Sequence, residues 1–258
     1  MSRKNRKPNS VRRQDEEPQP NRRAGRAAKR GYPTEDLYKV QPDVTFYEPV
    51  QKEIKPFIPW GAKQKEYTNS IHTNTITFGI GSSGTGKTYV VGAIAAEMLR
   101  DGLIDRIIIT RPTVEAGEKL GALPGELMDK FKPFIDPFLD VLNERLGKSQ
   151  VGMFMKNGKI QAKPMSFMRG TNHKDAFVIL DEAQNATPTQ MELFLTRTGE
   201  NCKVVVDGDI KQKDIYGTSG LFDAVSKLQN INGVGVVEFE IADCVRSGIC
   251  KEILRAYS

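Results

Sequence analysis

Eight residues, Gly81-Ser82-Ser83-Gly84-Thr85-Gly86-Lys87-Thr88, restrict this chain more than any other stretch, because they fit G-x-x-x-x-G-K-S/T in full. The run 76–80 before them is short and mostly apolar, and 87–100 after them is rich in helix formers. The sequence therefore predicts a strand, a glycine turn and a helix in that order. Glycines let the backbone curl and aim its N–H groups inward, and the start of a helix adds partial positive charge. Such a loop grips the phosphates of a nucleotide, with Lys87 reaching the outer ones and the Thr88 hydroxyl ligating Mg²⁺. The plain alternative is a glycine-rich turn before a helix, and the strand on its other side speaks against it.

A magnesium nucleotide also needs a carboxylate at the end of a neighbouring apolar strand. Asp181-Glu182, closing the run Phe177-Val178-Ile179-Leu180, supplies one. Asp181 is the candidate metal ligand. Glu182 is the candidate general base for an attacking water. A third strand ends in Val206-Asp207-Gly208-Asp209, with Gln212 after it; Asp209 and Gln212 are candidates to face the γ-phosphate, against the reading of a simple Asp-Gly turn. Arg246, Arg111 and, more weakly, Arg169 are candidates to stabilise charge on a transferring phosphoryl group.

The rest of the chain alternates short apolar runs with helix-forming segments. Strands are expected at 76–80, 106–110, 176–181, 203–207 and 234–240. Helices are expected at 87–100, 188–198, 219–228 and 248–257, with 121–146 mostly helical but broken near Pro133 and Pro137, and 147–158 a loop or hairpin. Continuously apolar strands are covered on both faces, so the fold class is α/β, a mostly parallel sheet with helices on both faces. Residues 33–60 carry Pro33, Pro42, Pro49, Pro56 and Pro59 with aromatics between, which excludes a long helix and suggests an irregular arm laid on the core through its aromatics. The domain reading is a basic tail over 1–32, this arm over 33–60 and one nucleotide-binding domain over 61–258.

Charge is unevenly placed. Residues 1–31 hold eleven Lys and Arg against three acids, leaving 27 basic and 29 acidic residues for the remainder. The tail has almost nothing apolar to bury, so it reads as disordered. It either neutralises nucleic-acid phosphates or is a solvated charged tail. Cys202, Cys244 and Cys250 lack paired spacing, so neither a disulfide framework nor a zinc site is indicated. No run of about 18 apolar residues and no apolar leader is present, which leads to the expectation of a cytoplasmic protein without membrane contact.

The stretches Arg111-Pro112-Thr113-Val114-Glu115-Ala116-Gly117-Glu118-Lys119-Leu120-Gly121, Phe167-Met168-Arg169-Gly170, Asp181-Glu182-Ala183-Gln184-Asn185 and Gly208-Asp209-Ile210-Lys211-Gln212 resemble the PhoH family of phosphate-starvation-inducible ATPases, from about Trp60 to Tyr257. The resemblance implies a RecA-like fold close to the N-terminal half of superfamily-one helicases. In those helicases a glutamine upstream of the phosphate loop reads adenine, and Gln64, 17 residues before Gly81, sits at its counterpart's place. ATP is thereby favoured over GTP. The basic tail and the arm depart from the common core, and the compact size resembles phage-borne members, which points to a host cytoplasm.

One RecA-like half needs a second wall for its nucleotide, and a neighbouring copy placed head to tail supplies it; the resemblance implies a hexameric ring, with Arg246 or Arg111 acting across the interface. The leading reading is a nucleic-acid-stimulated ATPase, an RNA helicase or translocase on single-stranded RNA or DNA. Against it stand a core of no net positive charge and no legible aromatic stacking platform. The alternative is an ATP-switched binding or assembly protein. A small-molecule kinase ranks last, having no evident lid or acceptor site.

Overall fold

The computed structural model describes residues 55–112, 127–168 and 170–256. The basic tail, most of the proline-rich arm, residues 113–121 of the Arg111 motif, and Arg169 lie outside the described residues. Among the described residues six strands run β1 (Ile76–Gly81), β2 (Arg106–Arg111), β3 (Ile160–Pro164), β4 (Ala176–Leu180), β5 (Cys202–Gly208) and β6 (Val234–Phe239). They form one sheet in the order β3-β2-β4-β5-β1-β6, and every pairing in it is parallel. This is the α/β architecture expected from the alternation of apolar strands and helices, and it agrees with the RecA-like fold that the resemblance implies.

Two apolar layers sandwich the sheet, and the pleat divides each strand between them. Ile107, Ile109, Phe177, Ile179 and Val205 pack on one side with α1 (Gly61–Thr73), α2 (Lys87–Arg100), α3 (Leu127–Leu146) and α4 (Lys148–Lys156). Ile108, Val178, Leu180, Val204 and Val206 face the other side, with α5 (Pro188–Leu195) and α6 (Gly220–Leu228). This two-sided burial is why the strands read as unbroken apolar runs. The last helix, α7 (Gly248–Ala256), follows β6.

Two expectations are corrected. α3 is not broken at its prolines but continues through Pro133 and Pro137. The two are four residues apart and both exposed, so the backbone carbonyls they leave unbonded are on the solvent side. The opposite face buries Phe131, Ile135, Phe138, Leu139 and Leu142. Each such side chain contributes roughly 1.5–3 kcal/mol, which outweighs a cost of about 3 kcal/mol per proline. Residues 147–158 are not a loop or hairpin but contain the helix α4, anchored by buried Val151 with Phe154 and Met155 against the same layer.

The strand β3 was not foreseen; its alternating burial identifies it as a sheet edge, where Pro164 is tolerated. In the described end of the arm, 55–60, Phe57 packs on the core beside Tyr89, whereas Trp60 is 70% exposed.

Candidate nucleotide site

All the candidate residues within the described region except Gln64 are at or just beyond the carboxyl ends of strands, the edge at which open parallel sheets bind ligands. The loop 81–88 leaves β1 and enters α2. Gly81, Gly84 and Gly86 have φ of 130°, 82° and 87°, which glycine alone adopts without strain. Neighbours also crowd them: a Cβ at Gly81 would meet the Phe239 carbonyl oxygen at 2.1 Å, and one at Gly86 would meet Gln64 Nε2 at 2.5 Å. α2 has no side-chain cap and no acid in its first turn, so its amino end is an unneutralised positive pole. The Ser82 carbonyl accepts from Thr85 Oγ1 (3.2 Å), Ser83 lies in the turn, and Thr88 is the second residue of the helix.

Lys87 Nζ donates to the carbonyls of Gly81 (2.6 Å) and Ser82 (2.9 Å) and lies 5.6 Å from the centre of the Phe239 ring. Burial lowers its pKa, and attraction to Asp207, Asp209, Asp181 and Glu182 opposes that shift. The ammonium is thus within electrostatic reach of four carboxylates.

Gln64 is buried in α1 on the face that also carries Tyr67 and Ile71. It is not a polar residue on an exposed helix face. Its Nε2 donates to the Thr85 carbonyl (3.0 Å), and its Oε1 accepts from the Trp60 amide (2.8 Å). On the loop's other flank the Val245 amide donates to the Gly84 carbonyl (2.9 Å), and Arg246 packs its aliphatic stem on Gly84. Arg246 is therefore in its own chain's site.

So is Arg111, at the end of β2. Its guanidinium bonds Asp181 Oδ2 at 2.7 Å and Glu182 Oε1 at 3.3 Å. Asp181 is raised in pKa chiefly by burial, with Arg111 pulling it down and Glu182 pushing it up. Glu182 has φ 53° and ψ 39°, left-handed values that are costly for a residue with a Cβ. The twist separates it from Asp181: its side chain is 44% exposed, against 17% for Asp181. Gln184 Nε2 donates to Glu182 Oε2 at 2.6 Å.

Asp209 has an explicit turn-forming role. Its Oδ1 accepts from the Lys211 amide (3.0 Å), and its own amide donates to Gln184 Oε1 (3.0 Å). Gln212 is exposed, and its carbonyl accepts from Gln184 Nε2 (3.3 Å).

Two residues that sequence reasoning missed lie under the site. The Tyr67 hydroxyl donates to Asp207 Oδ1, and both side chains are buried. Asp207 Oδ2 has no hydrogen-bond partner among the described residues, and burial pushes the carboxyl up to about 7 in spite of Lys87. Asp207 pairs in register with Gly79 of β1, and a Cβ at Gly79 would stand 2.3 Å from Asp207 Oδ1 and 2.5 Å from the Tyr67 hydroxyl. A lone glycine inside an apolar strand is the one local sign that something approaches closely there.

Oxygen donors dominate the site, as a hard cation requires. Among the described residues no three His, Cys, Asp or Glu side chains gather to hold a metal unaided. Mg²⁺ takes one or two protein groups and completes its shell with phosphate oxygens and water. Thr88 and Asp181 are the residues suited to it.

Residues 57–258 match the family model described as PhoH-like protein. The chain is 45% identical over 206 residues to the PhoH-like protein of Mycobacterium tuberculosis H37Rv, covering 79% of this chain and 58% of that one. It is 44% identical over 211 residues to Protein PhoH of Escherichia coli K12, covering 80% and 60%, and 44% over 196 residues to the PhoH-like protein of Bacillus subtilis, covering 75% and 61%. It thus spans about 60% of the length of these curated relatives. Among solved structures, the crystal structure of Pif1 helicase from Candida albicans superposes with a TM-score of 0.37 at 17% identity, covering 71% of this chain and 40% of that one.

Proposed function

The chain belongs to the PhoH-like protein family, and on that premise we propose that it binds ATP with Mg²⁺ in the 81–88 cradle and hydrolyses it to drive a single strand of RNA or DNA. The observation that carries this reading is the convergence at one sheet edge of a glycine cradle, the Lys87 ammonium and the Asp181-Glu182 pair. β1 and β4 are separated by β5 alone, so their ends are about 10 Å apart, a span suited to a triphosphate with its metal.

Lys87 exchanges its loop carbonyls for phosphate oxygens, which accept more strongly because they carry charge. The amides of the loop and of the α2 start hold the remaining phosphate charge. Mg²⁺, bound by Thr88 and Asp181, would supply Lewis-acid neutralisation of the transferring phosphoryl group. Glu182, the more exposed carboxylate, takes the proton from the water that attacks the γ-phosphorus. Arg111 holds Asp181 and Glu182 in place and limits their mutual repulsion, and Arg246 stands beside Gly84 to meet developing charge. Gln64 ties the loop to the segment that begins the adenine pocket. Asp209 and Gln212 set the loop that reports the γ-phosphate.

The second wall of the pocket comes from a neighbouring copy in a head-to-tail ring, of which a hexamer is one closure. A second reading, an ATP-switched assembly protein, is favoured by Ile249 and Ile253, exposed one turn apart on α7. Stimulation of hydrolysis by single-stranded RNA supports the motor; indifference to every nucleic acid supports the switch.

The decisive measurement uses Trp60, the chain's single tryptophan, whose amide bonds Gln64. ATP with Mg²⁺ should shift its emission in the parent and in Glu182→Gln alike, while the variant loses hydrolysis. Parental hydrolysis by Glu182→Gln would remove the assigned base, and no nucleotide response in the parent would remove the site.

A further inference from the structure

Resting on the ATP reading above, in which Gln64 meets the base, we infer that the ion pair of Glu97 and Arg145 is a positioning device for Gln64 and so governs the choice of base from outside the nucleotide cradle. The observation is a closed circuit of contacts. Residues 55–60 are neither helix nor strand, yet the segment is held at both ends. Arg145 Nη2 donates to the Lys55 carbonyl at 2.7 Å and to Glu97 Oε1 at 2.5 Å, and the Phe57 amide donates to that same Glu97 oxygen at 2.5 Å. At the other end the Trp60 amide donates to Gln64 Oε1, and Gln64 Nε2 donates to the Thr85 carbonyl. Thr85 leads through Gly86 into α2, the helix that carries Glu97. Segment, Gln64, phosphate loop and α2 thus close on themselves.

The circuit is stiff. The Arg145 and Glu97 side chains are only 10% and 22% exposed, so their charge-assisted bonds are strong. Phe57 packs inward beside Tyr89, whereas Ile58 and Trp60 are exposed. From Phe57 to Trp60 the chain can span at most about 10 Å, and Pro59 fixes one of the intervening φ angles. A stretch this short passes on a shift at Phe57 instead of absorbing it.

What it passes on is the orientation of an amide. The Trp60 N–H must meet the Gln64 oxygen, which leaves the nitrogen for the Thr85 carbonyl, and each end keeps one lone pair or N–H for a base. Adenine presents an amino donor beside the N7 acceptor, and guanine presents two acceptors. Only an amide whose oxygen and nitrogen are held in place tells them apart. With the segment loose, Oε1 loses its donor and the two ends can exchange.

The test is isothermal titration of ATP, GTP and inorganic tripolyphosphate, each with Mg²⁺, onto the full chain, beside KM and kcat for ATP hydrolysis. Replacing both charges at once, Glu97→Met with Arg145→Met, avoids stranding a buried ion. This double variant should raise Kd and KM for ATP about tenfold, the weight of one or two hydrogen bonds. Its preference for ATP over GTP should shrink by the same factor, while kcat and the Kd for tripolyphosphate, which has no base, stay within about twofold. In a Gln64→Ala background the same replacements should change the ATP Kd by less than about twofold, because the route through Gln64 is already cut. Arg145→Lys keeps the charge beside Glu97 but not the guanidinium's reach, and should weaken ATP alone by about threefold; it carries the test if the double variant does not fold. Unchanged ATP binding, equal weakening of ATP and tripolyphosphate, or an undiminished effect in the Gln64→Ala background would each overturn the inference. A parent that binds all three ligands without distinguishing ATP from GTP removes the role of Gln64, and the inference with it, while the phosphate site stands. A parent that binds none of them removes the ATP reading itself.

Discussion

Asp207 and Glu182 belong to adjacent strand ends and are both within electrostatic reach of Lys87, yet the fold treats them in opposite ways. Asp207 is sealed beneath the site, bonded to Tyr67, with its second oxygen unpartnered among the described residues and its pKa pushed to about 7. Glu182 is held half in solvent by a strained left-handed backbone, with Arg111 on one oxygen and Gln184 on the other. The contrast teaches that proximity to a phosphate loop does not assign chemistry. Access to water does: Glu182 can meet an attacking water and Asp207 cannot. Asp207 instead sets the field beneath Lys87 and fills the space that Gly79 leaves open.

The largest effect that separates the two is on rate. Glu182→Gln keeps shape and hydrogen-bonding capacity but removes the proposed base, and should lower ATP turnover by about 100- to 10,000-fold with nucleotide binding retained. Asp207→Asn should lower turnover far less. Equal losses measured in a steady-state phosphate-release assay would erase the distinction between the two carboxylates.

The next effect is on stability against pH. Asp207 has a folded pKa near 7, against about 3.9 in an unfolded chain. Between these values the folded state binds the extra proton, so stability is greatest below about pH 4 and falls as pH rises to about 7. The full difference is on the order of 4 kcal/mol at most. Asp181, also raised by burial, contributes with the same sign, so the informative quantity is parent minus Asp207→Asn. Urea melts at pH 5 and pH 8 should show the variant gaining on the parent at the higher pH. A constant gap would mean that Asp207 is ionised at both.

Gly79→Ala probes the same pocket through volume. A Cβ placed 2.3 Å from Asp207 Oδ1 and 2.5 Å from the Tyr67 hydroxyl must push one of them aside, at a cost of about 1–3 kcal/mol. Differential scanning calorimetry should register the loss in the parent background. In a Tyr67→Phe background, where the hydroxyl is gone, the loss should shrink. An unchanged loss would place the clash elsewhere.

Much of this arrangement was legible in the sequence because its signals are local. The strand ends after Ile80 and Leu180, the glycine loop and the Asp-Glu pair each announce themselves within a few residues, and period-two burial explains the apolar runs that framed them. What escaped was set by distance or by competing cues. Tyr67 and Asp207 meet across 140 positions, and no spacing rule joins them. Gly147, Gly152 and Gly158 mimic a turn region, whereas the burial of Val151 makes most of it helix α4. Pro133 and Pro137 argue for a break until their shared solvent face is known.

The smallest effect sharpens the comparison most, because it isolates one hydrogen bond. Tyr67→Phe removes the donor to Asp207 Oδ1 without changing the ring's edge-on packing at 5.3 Å from Phe239. A neutral hydrogen bond contributes about 1 kcal/mol net, and one to a charged acceptor about 1.5–3 kcal/mol. The coupling between Tyr67→Phe and Asp207→Asn in a double-mutant cycle should therefore grow from pH 5 to pH 8 as Asp207 loses its proton. Glu182 takes its hydrogen bonds from Arg111 and Gln184 and none from Tyr67, so coupling between Tyr67→Phe and Glu182→Gln should stay within about 0.5 kcal/mol at both pH values. If the two cycles give the same coupling, the two carboxylates share one electrostatic environment, and burial does not divide the site into a chemical half and a structural one.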